Sequence, residues 1–229
     1  MSFRRFLPWL VAAAAALVML VGPINAAPSP NIVISQVYGG GGNSGALYKN
    51  DFIELFNRGT TSVSVSGWSV QYASSAGTTW QVTPLSGTIA PGQYYLVREA
   101  AGAGGTTDLP PPDATGNIAM SATSGKVALV ASTTSLSPQS CPLASVVDFV
   151  GYGVANCWET TPAPGPAPVL TNTTADLRNP PTPGPRGCQD TDSNSADFHT
   201  SSPEPRNSSS QRNPCFGDQA PFVADDFGH

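Results

Sequence analysis

The amino-acid sequence predicts an all-β domain of the sandwich or barrel type. From Asn31 onward, short runs rich in β-branched and aromatic residues alternate with clusters of turn residues. The 229 residues include 23 glycines and 23 prolines, and only 11% of the residues are charged. Because glycine and proline both interrupt helices, this composition disfavours long helices and favours many turns.

Seven runs have the composition of β-strands. In the second run, Ile53 and Leu55 point to one side of the pleat and Glu54 to the other, which is the alternation of a strand. Turns that contain glycine or proline separate the runs. We therefore expect strands over residues 32–37, 52–56, 68–72, 79–82, 94–98, 126–130 and 146–150.

Residues 1–26 have the three parts of a secretory signal peptide. A basic pair precedes an apolar run over residues 6–21, and small residues surround Ala26. A retained membrane anchor is the alternative, since about 18 apolar residues can span a bilayer, but Pro8 and Pro23 interrupt the run. We expect cleavage after Ala26 and a mature chain that is secreted or otherwise extracytoplasmic, with no membrane span.

The charge of the mature chain argues against a polyanionic partner. Without Arg4 and Arg5, eight basic side chains stand against fifteen acidic ones, so the formal net charge is −7. Proteins that bind nucleic acid directly usually cluster lysine and arginine to contact phosphates, whereas the basic residues here are scattered singly. Direct binding of nucleic acid is therefore not expected.

The four cysteines indicate two disulfide bonds, because an exported chain with an even number of cysteines usually pairs them. Three pairings are formally open. Sequential pairing closes short loops, which favours the bonds Cys141–Cys157 and Cys188–Cys215. A metal site at the cysteines is not expected, because the chain has no CxxC motif and His199 is the only histidine away from the C-terminus.

The proline content rises after Tyr152. Eight prolines fall between residues 158 and 187, and such a segment does not favour a central strand or a helix. We expect residues 154–215 to be a proline-rich extension that crosses the surface and completes the domain, and residues 216–229 to be a loose acidic tail.

Six short motifs follow one another in a characteristic order. They are IVISQVY at 32–38, DFIELFN at 51–57, SGWSV at 66–70, PGQY at 91–94, GKVAL at 125–129 and VDFVGYG at 147–153. In this order they resemble the lamin tail domain over about residues 31–153. Arg178 and the segments 190–194, 197–198 and 205–207 resemble the C-terminal part of the bacterial form of that domain.

The resemblance implies an immunoglobulin-like β-sandwich, here with a disulfide-pinned, loop-rich C-terminal extension. It also implies a non-catalytic binding or tethering module without a cofactor, which contacts protein or cell-envelope partners through its loops or an exposed sheet edge. Bacterial domains of this type often precede a nuclease or phosphatase. The alternative function is therefore an accessory part of an extracellular nuclease or phosphatase system whose catalytic domain is absent from this chain.

The glycine-rich segment 39–45 is a candidate anion site, because glycines let backbone amides approach a phosphate. However, no Gly-Lys-Ser/Thr ending follows, and the next periodic run is a strand rather than a helix. We interpret the segment as a flexible strand connection. Tyr48 and Lys49, which flank it, are candidate binding residues.

A second group of side chains resembles the start of a calcium loop, in which alternating oxygen donors surround the ion. Its members are Asp190, Asp192, Asn194 and Asp197. The EF-hand pattern then fails, because Ser195 stands where that loop requires glycine. Two interpretations stay open, namely an irregular calcium site and a set of side chains that cap local turns.

The remaining polar candidates do not form a catalytic set in the sequence. Asp51, Glu54 and Asp148 lie in or beside strands, and nothing indicates that they converge in a cleft as a glycosidase pair would. We interpret Asp51 and Glu54 as strand-edge or solvent-facing residues. His199 is the sole candidate base and is expected at the surface. The chain is therefore not expected to be an enzyme.

Three tryptophans of the mature chain could stack on a ligand such as a carbohydrate. Trp68 follows a glycine at a strand start and resembles the core tryptophan of the family, so we assign it to packing. Trp80 and Trp158 stay candidates for ligand contact.

Overall fold

The structure is a computed structural model that describes residues 29, 31–160, 164–180 and 187–215. The predicted signal peptide over residues 1–26 and the predicted acidic tail over residues 216–229 both lie outside the described residues.

The described residues form twelve strands and two short helical turns. The strands are β1 (Ile32–Tyr38), β2 (Asn50–Asn57), β3 (Val63–Ser64), β4 (Ser69–Ser74), β5 (Gln81–Pro84), β6 (Thr88–Ile89), β7 (Tyr94–Ala101), β8 (Ala114–Thr115), β9 (Gly125–Val130), β10 (Asp148–Tyr152), β11 (Ala175–Arg178) and β12 (Phe198–Ser201). The helical turns are a 3-10 turn at Leu143–Ser145 and α1 at Asn194–Asp197. The predicted all-β class is confirmed.

Two sheets pack face to face as an immunoglobulin-like β-sandwich. The larger sheet has the strand order β12-β11-β1-β2-β7-β8, and the smaller sheet has the order β10-β9-β4-β5. Strands β3 and β6 form a separate pair. Neighbouring strands are antiparallel except β7 and β8, which run parallel.

The main core lies between the two sheets. In β2, Ile53 and Leu55 point into this core, whereas Phe52 and Phe56 belong to two clusters on the other side of the larger sheet. The predicted alternation in β2 is therefore confirmed. Each apolar side chain that is fully buried in this way stabilises the fold by about 1.5 to 3 kcal/mol relative to an exposed one.

Both outer faces of the sandwich are also covered. The segment 202–215 crosses the larger sheet, where Glu204 N donates to Gln36 Oε1 at 2.7 Å and Asn213 N donates to Gly92 O at 2.8 Å. On the smaller sheet, the Lys126 ammonium is buried and donates at 2.8 Å to Gly77 O, and at 2.8 Å to Ser140 O. Little of either sheet face is left open to a partner.

All seven strands expected from the sequence are present, with bounds shifted by a few residues. The expectation that residues 158–187 hold no central strand was wrong, because β11 lies between β1 and β12 in the larger sheet. The physical reason is that no proline falls between Pro168 and Pro180, so β11 keeps its full set of amide donors.

The two disulfide bonds are Cys141–Cys157 and Cys188–Cys215, which is the sequential pairing favoured above. The bond Cys141–Cys157 lies against the outer face of the smaller sheet, where Cys157 is buried with Trp80 and Phe149. The second ties the end of segment 202–215 to the larger sheet. For loops of this size, each bond stabilises the fold by about 3 kcal/mol, mainly by restricting the unfolded chain.

Among the residues that the structure describes, no helix combines the length and the apolar character needed to cross a membrane.

Candidate functional site

A buried charge cluster lies where the extension meets the two sheets, and Arg178 of β11 is at its centre. The Arg178 side chain has no exposed surface. Its Nη2 lies 2.8 Å from Asp148 Oδ2, its Nη1 lies 3.3 Å from Asp190 Oδ1, and its Nε donates to Ile34 O at 2.8 Å. The guanidinium also lies over the Phe198 ring, 4.6 Å from the centroid. Arg178 thereby joins β1, β10 and the loop that follows Cys188.

Asp148, the first residue of β10, connects the two sheets. Its Oδ2 accepts from Arg178 and also from the Ile34 amide at 2.5 Å. Asp148 is only 1% exposed, a burial that the sequence around it does not indicate. Arg178, which covers Asp148, belongs to the extension and lies 30 residues further along the chain. For this reason no pattern in the sequence around Asp148 indicates that it is buried.

The side-chain amide of Asn194 hydrogen-bonds to the backbone of β10, which is an edge strand of the smaller sheet. Its Nδ2 donates to Phe149 O at 2.9 Å and its Oδ1 accepts from Gly151 N at 2.9 Å, so the amide pairs with the strand as another strand would. The same Nδ2 donates to Glu159 Oε2 at 2.8 Å. Because these contacts occupy its amide, Asn194 does not act as the cation ligand that the calcium-loop hypothesis requires.

Asp197 caps the turn that precedes it. Its Oδ2 accepts from Thr191 N at 2.8 Å and from Ser193 N at 3.3 Å, and its Oδ1 accepts from Thr191 Oγ1 at 2.8 Å. This is the local capping arrangement considered above as the alternative to a calcium loop.

Three carboxylates from separate parts of the chain converge instead. Asp148, Glu159 and Asp190 each place one carboxylate oxygen within 4.8 Å of the others. Of these, only Asp190 was a candidate ligand in the sequence. Asp148 and Glu159 have no pattern around them that indicates a shared site, because their convergence depends on the path of the extension.

Burial raises the pKa of three carboxyl groups in this cluster. Burial raises the pKa of Glu159 well above its ordinary value, and the nearby charge of Asp148 raises it further. Burial likewise raises the pKa of Asp190, although Arg178 and Arg58 oppose the rise. The pKa of Asp192 rises to about 6, first through burial and then through its acidic neighbours.

A second buried ion pair, between Glu54 of β2 and Arg206, holds the segment 202–215 against the larger sheet. Glu54 is fully buried, with Oε1 2.7 Å from Arg206 Nη2 and Oε2 3.1 Å from Arg206 Nε. The Arg206 guanidinium lies 3.9 Å from the centroid of the Tyr94 ring, and both residues line a groove of about 400 Å³. The prediction that Glu54 faces solvent was therefore wrong, because the extension covers the face of the sheet on which Glu54 stands.

Asp51 is also buried, which again contradicts the solvent-facing interpretation. Its Oδ1 accepts from Gly41 N and its Oδ2 accepts from Met120 N, both at 2.8 Å. Burial raises the pKa of Asp51 to about 7. Asp51 thus holds the glycine-rich loop against the core.

Residues 39–42 of the glycine-rich segment 39–45 pack tightly against neighbouring backbone, so the interpretation of the segment as a flexible connection was wrong for this part. Gly42 has a φ of +68°, and a Cβ at this position would lie 2.1 Å from Gly102 N. Gly42 N donates to Tyr48 O at 2.9 Å, and Gly104 N donates to Gly42 O at 2.7 Å. Because the chain itself occupies these amides, they do not form a phosphate cradle.

The two candidate binding residues beside this loop make different contacts. Tyr48 is half-buried, and its ring meets the rings of Tyr38 and Phe52 edge-on at 6.3 and 6.2 Å. The Lys49 ammonium pairs with Asp108 at 2.9 Å on the surface.

The exposed large hydrophobic residues of the described chain share one end of the sandwich. They are Leu47 (41% exposed), Val154 (75%) and Val169 (59%). Leu47 lies between β1 and β2, Val154 follows β10, and Val169 precedes β11. These connections lie at the same end because β1 finishes where β11, antiparallel to it, starts, and because Gly153, just after β10, bonds to Pro168, just before Val169. We call these three residues and the loops that carry them the apolar loop end.

Hydrogen bonds hold the loops of the apolar loop end together. Gly153 N donates to Pro168 O at 3.1 Å, which places the chain beside Val154 against the chain beside Val169. Asn172 Nδ2 donates to Ser44 O at 3.0 Å, and Asn43 Nδ2 donates to Asn172 Oδ1 at 3.1 Å. The apolar side chains are therefore presented by a connected set of loops.

The tryptophans occupy different environments. Trp80 is only 3% exposed, donates from Nε1 to Gln139 O at 2.8 Å and packs on Phe149. It therefore has almost no surface with which to contact a ligand, contrary to the hypothesis above. Trp68 packs against the main core, as expected. Trp158 is half-buried beside Glu159 in the chain.

His199 is half-buried, with Nδ1 2.5 Å from Asn179 Oδ1. Neither a serine hydroxyl nor a carboxylate is among the contacts described for its ring. His199 thus lies on β12, the edge strand of the larger sheet, with an amide as the partner described for its ring.

The chain matches one family model, and that family has the fold described here. The family model of the Lamin Tail Domain matches residues 25–153, more than half of the chain. Among solved structures, the crystal structure of a DUF4876 family protein from Bacteroides thetaiotaomicron is similar, with a TM-score of 0.48 and 13% sequence identity. That similarity covers 75% of this chain and 71% of the other chain. No curated protein matched the sequence.

Proposed function

This chain belongs to the lamin tail domain family, and from that premise we propose that it is a non-catalytic binding module that acts outside the cytoplasm and contacts a protein partner through the apolar loop end. The observation that carries the proposal is that Leu47, Val154 and Val169 are exposed together at one end of the sandwich.

The engagement of the acidic side chains supports a non-catalytic role. Lamin tail domains are immunoglobulin-like and non-catalytic as a family. In this chain Asp51 accepts two backbone amides, Glu54 pairs with Arg206, and Asp148 accepts from Arg178 and a strand amide. These contacts hold loops, sheets and extension together, and they leave the three carboxylates little freedom to act on a substrate.

An extracytoplasmic location is supported by two independent features. The pattern over residues 1–26 is typical of a signal peptide of an exported chain. The two disulfide bonds persist in oxidising compartments and are rare in the reducing cytoplasm.

The apolar loop end has the character of a protein contact. Clustered exposed apolar side chains commonly mark interaction sites. Three polar residues of the loops that carry these side chains, Asn43, Ser44 and Asn172, are uncharged, and charged residues are depleted at the centre of interfaces. Since internal hydrogen bonds already order these loops, binding would cost little additional conformational entropy.

A nucleic acid or an anionic membrane surface fits this end less well. Either would require clustered basic side chains. Lys49, the basic residue nearest Leu47 in the chain, already pairs with Asp108. We therefore assign the apolar loop end to a protein surface with an exposed apolar patch of its own.

Site-specific photocrosslinking tests the assignment. A photoreactive amino acid is placed at Leu47 or Val154 and, as the matched control, at Thr60, which is exposed near the opposite end. Intact cells of the source, secreting the tagged full-length protein, are irradiated and the adducts are compared. We expect one discrete protein adduct from Leu47 and Val154 and none from Thr60.

A substitution series completes the test. The triple variant Leu47→Ser, Val154→Thr, Val169→Thr should keep the wild-type melting temperature and bind the crosslinked partner at least tenfold more weakly. The control Thr60→Ala, Ser62→Ala should bind normally. Equal adducts from all positions, or unchanged binding by the triple variant, would show that this end is not the contact. Cleavage of DNA by the purified protein with magnesium would overturn the non-catalytic assignment.

A further inference from the structure

The buried charge cluster around Arg178 contains more acids than bases. Its cations are Arg178 and Arg58, and the carboxylates grouped with them are those of Asp148, Glu159, Asp190, Asp192 and Asp197. Five carboxylates against two guanidinium groups leave an excess of three negative charges when all are ionised. Burying such an excess is costly, so either bound protons or a further cation must offset it.

Unpartnered oxygens mark where a cation would bind. Asp148 Oδ2 accepts from Ile34 N and from Arg178, whereas Asp148 Oδ1 is completely buried and has no hydrogen-bond partner. The same is true of Asp192 Oδ1 and of Ser193 Oγ. Buried polar atoms without partners are rare in folded proteins, and one of these three atoms, Asp148 Oδ1, belongs to the three convergent carboxylates, which indicates that this group could bind a ligand.

The spacing and chemistry of these carboxylates favour calcium over zinc and magnesium. Asp148, Glu159 and Asp190 each have an oxygen within 4.8 Å of the others, and two oxygens bound to the same calcium at about 2.4 Å are separated by at most about 5 Å. The donors are all hard oxygens, without the histidine or thiolate that zinc prefers, and magnesium requires a tighter octahedron. We propose that Asp148, Glu159 and Asp190 bind one calcium ion, with Asp192 beside them.

Such an ion would fasten the extension to the sandwich. Asp148 belongs to β10 of the smaller sheet, Glu159 follows Cys157, and Asp190 follows Cys188. Calcium therefore joins the sheet to two separate parts of the extension, next to the point where Arg178 joins the larger sheet. The inference goes beyond the proposed function, because it concerns the interior of the domain and does not involve the apolar loop end.

Calcium titration of the full-length mature protein tests the site. The protein is first dialysed against a chelator, and its melting temperature is then followed with calcium chloride, with magnesium chloride as the comparison. At a calcium concentration one hundred times the dissociation constant, we expect a rise of about 5 to 10 °C. Terbium luminescence excited through Trp158, the neighbour of Glu159 in the chain, should give one site per chain that calcium displaces.

Two variants separate a calcium site from a general effect of salt. Glu159→Gln keeps the shape of the side chain and should fold but lose both the thermal shift and the terbium signal. Glu99→Gln removes a carboxylate that is equally buried but lies outside the cluster, and it should retain both. If wild-type protein shows neither a thermal shift nor terbium binding, the proposal is wrong and bound protons offset the excess charge. Retention of both responses by Glu159→Gln would overturn it as well.

Discussion

Arg178 and Asp148 meet at 2.8 Å between Nη2 and Oδ2, and neither side chain has any surface exposed to solvent. Arg178 is in β11, within the proline-rich extension, and Asp148 begins β10 of the smaller sheet. The pair therefore spans the junction between extension and sandwich. Removal of either partner would leave the charge of the other without its compensation in a low-dielectric interior.

Replacing Arg178 by methionine should strongly destabilise the protein. The substitution keeps an apolar stem but leaves Asp148 and Asp190 without their shared cation, and breaking a buried pair in this way costs about 3 to 5 kcal/mol of unfolding free energy. Urea denaturation of the oxidised protein measures the loss. The matched control is Lys49→Met, which breaks the exposed pair with Asp108 and should cost less than about 1 kcal/mol. Equal losses for the two variants would contradict the central role of Arg178.

Asp176 should make stability fall as the pH rises. It is fully buried on β11, neither carboxylate oxygen has a hydrogen-bond partner, and burial raises its pKa to about 8 from an ordinary value of 3.8. The folded state therefore keeps the Asp176 proton to a higher pH than the unfolded state does. Its contribution to stability is complete below about pH 4 and is lost as the pH rises to about 8, at up to about 1.4 kcal/mol per pH unit.

The variant Asp176→Asn isolates this effect, because the amide resembles the protonated acid and does not titrate. We expect the melting temperature of the variant to exceed that of the wild type at pH 8, and the difference to shrink as the pH falls towards 5. The exposed Asp108→Asn serves as the control and should show no comparable trend. A constant difference between pH 5 and pH 8 would mean that Asp176 is ionised in the folded protein throughout that range.

The glycine-rich segment allows a matched pair of alanine substitutions. Gly45 has a φ of +79° with open space around the site of a Cβ, so Gly45→Ala incurs only the backbone cost of about 1 to 2 kcal/mol. Gly42 has a similar φ of +68°, but its Cβ would lie 2.1 Å from Gly102 N, so Gly42→Ala must also separate two packed loops. We expect Gly42→Ala to lower the free energy of unfolding clearly more than Gly45→Ala, as measured by urea denaturation. Similar losses would show that the loops are not closely nested.

The strands could be predicted where the signal is local. In β2 the alternation of Ile53, Glu54 and Leu55 reports which side chains point inward, and this pattern depends only on the pleat of one strand. Strand β11 was missed because it has only four residues and because the prolines on either side dominated the composition of the segment. Its pairing with β1 joins residues more than 130 positions apart, such as Gln36 and Leu177, and no local pattern reports that pairing.

The candidate sites depended more strongly on long-range contacts. Asp51, Glu54 and Asp148 have the polar character of exposed strand residues in the sequence, yet each is buried by a segment that lies far along the chain. Asp190 was identified as a possible ligand together with Asn194 and Asp197, whereas the structure turns those two toward backbone groups.

The sequence by itself determined the all-β class, the order of the main strands, the family and the preferred disulfide pairing. These follow from periodicity, turn residues and spacing, all of which act over a few residues or are written in the order of motifs. Only the tertiary structure decided which carboxylates are buried, which of them meet around Arg178, and which apolar residues remain exposed at one end. The physical reason is that burial and charge compensation depend on which distant segment covers a side chain, and folding alone brings those segments together.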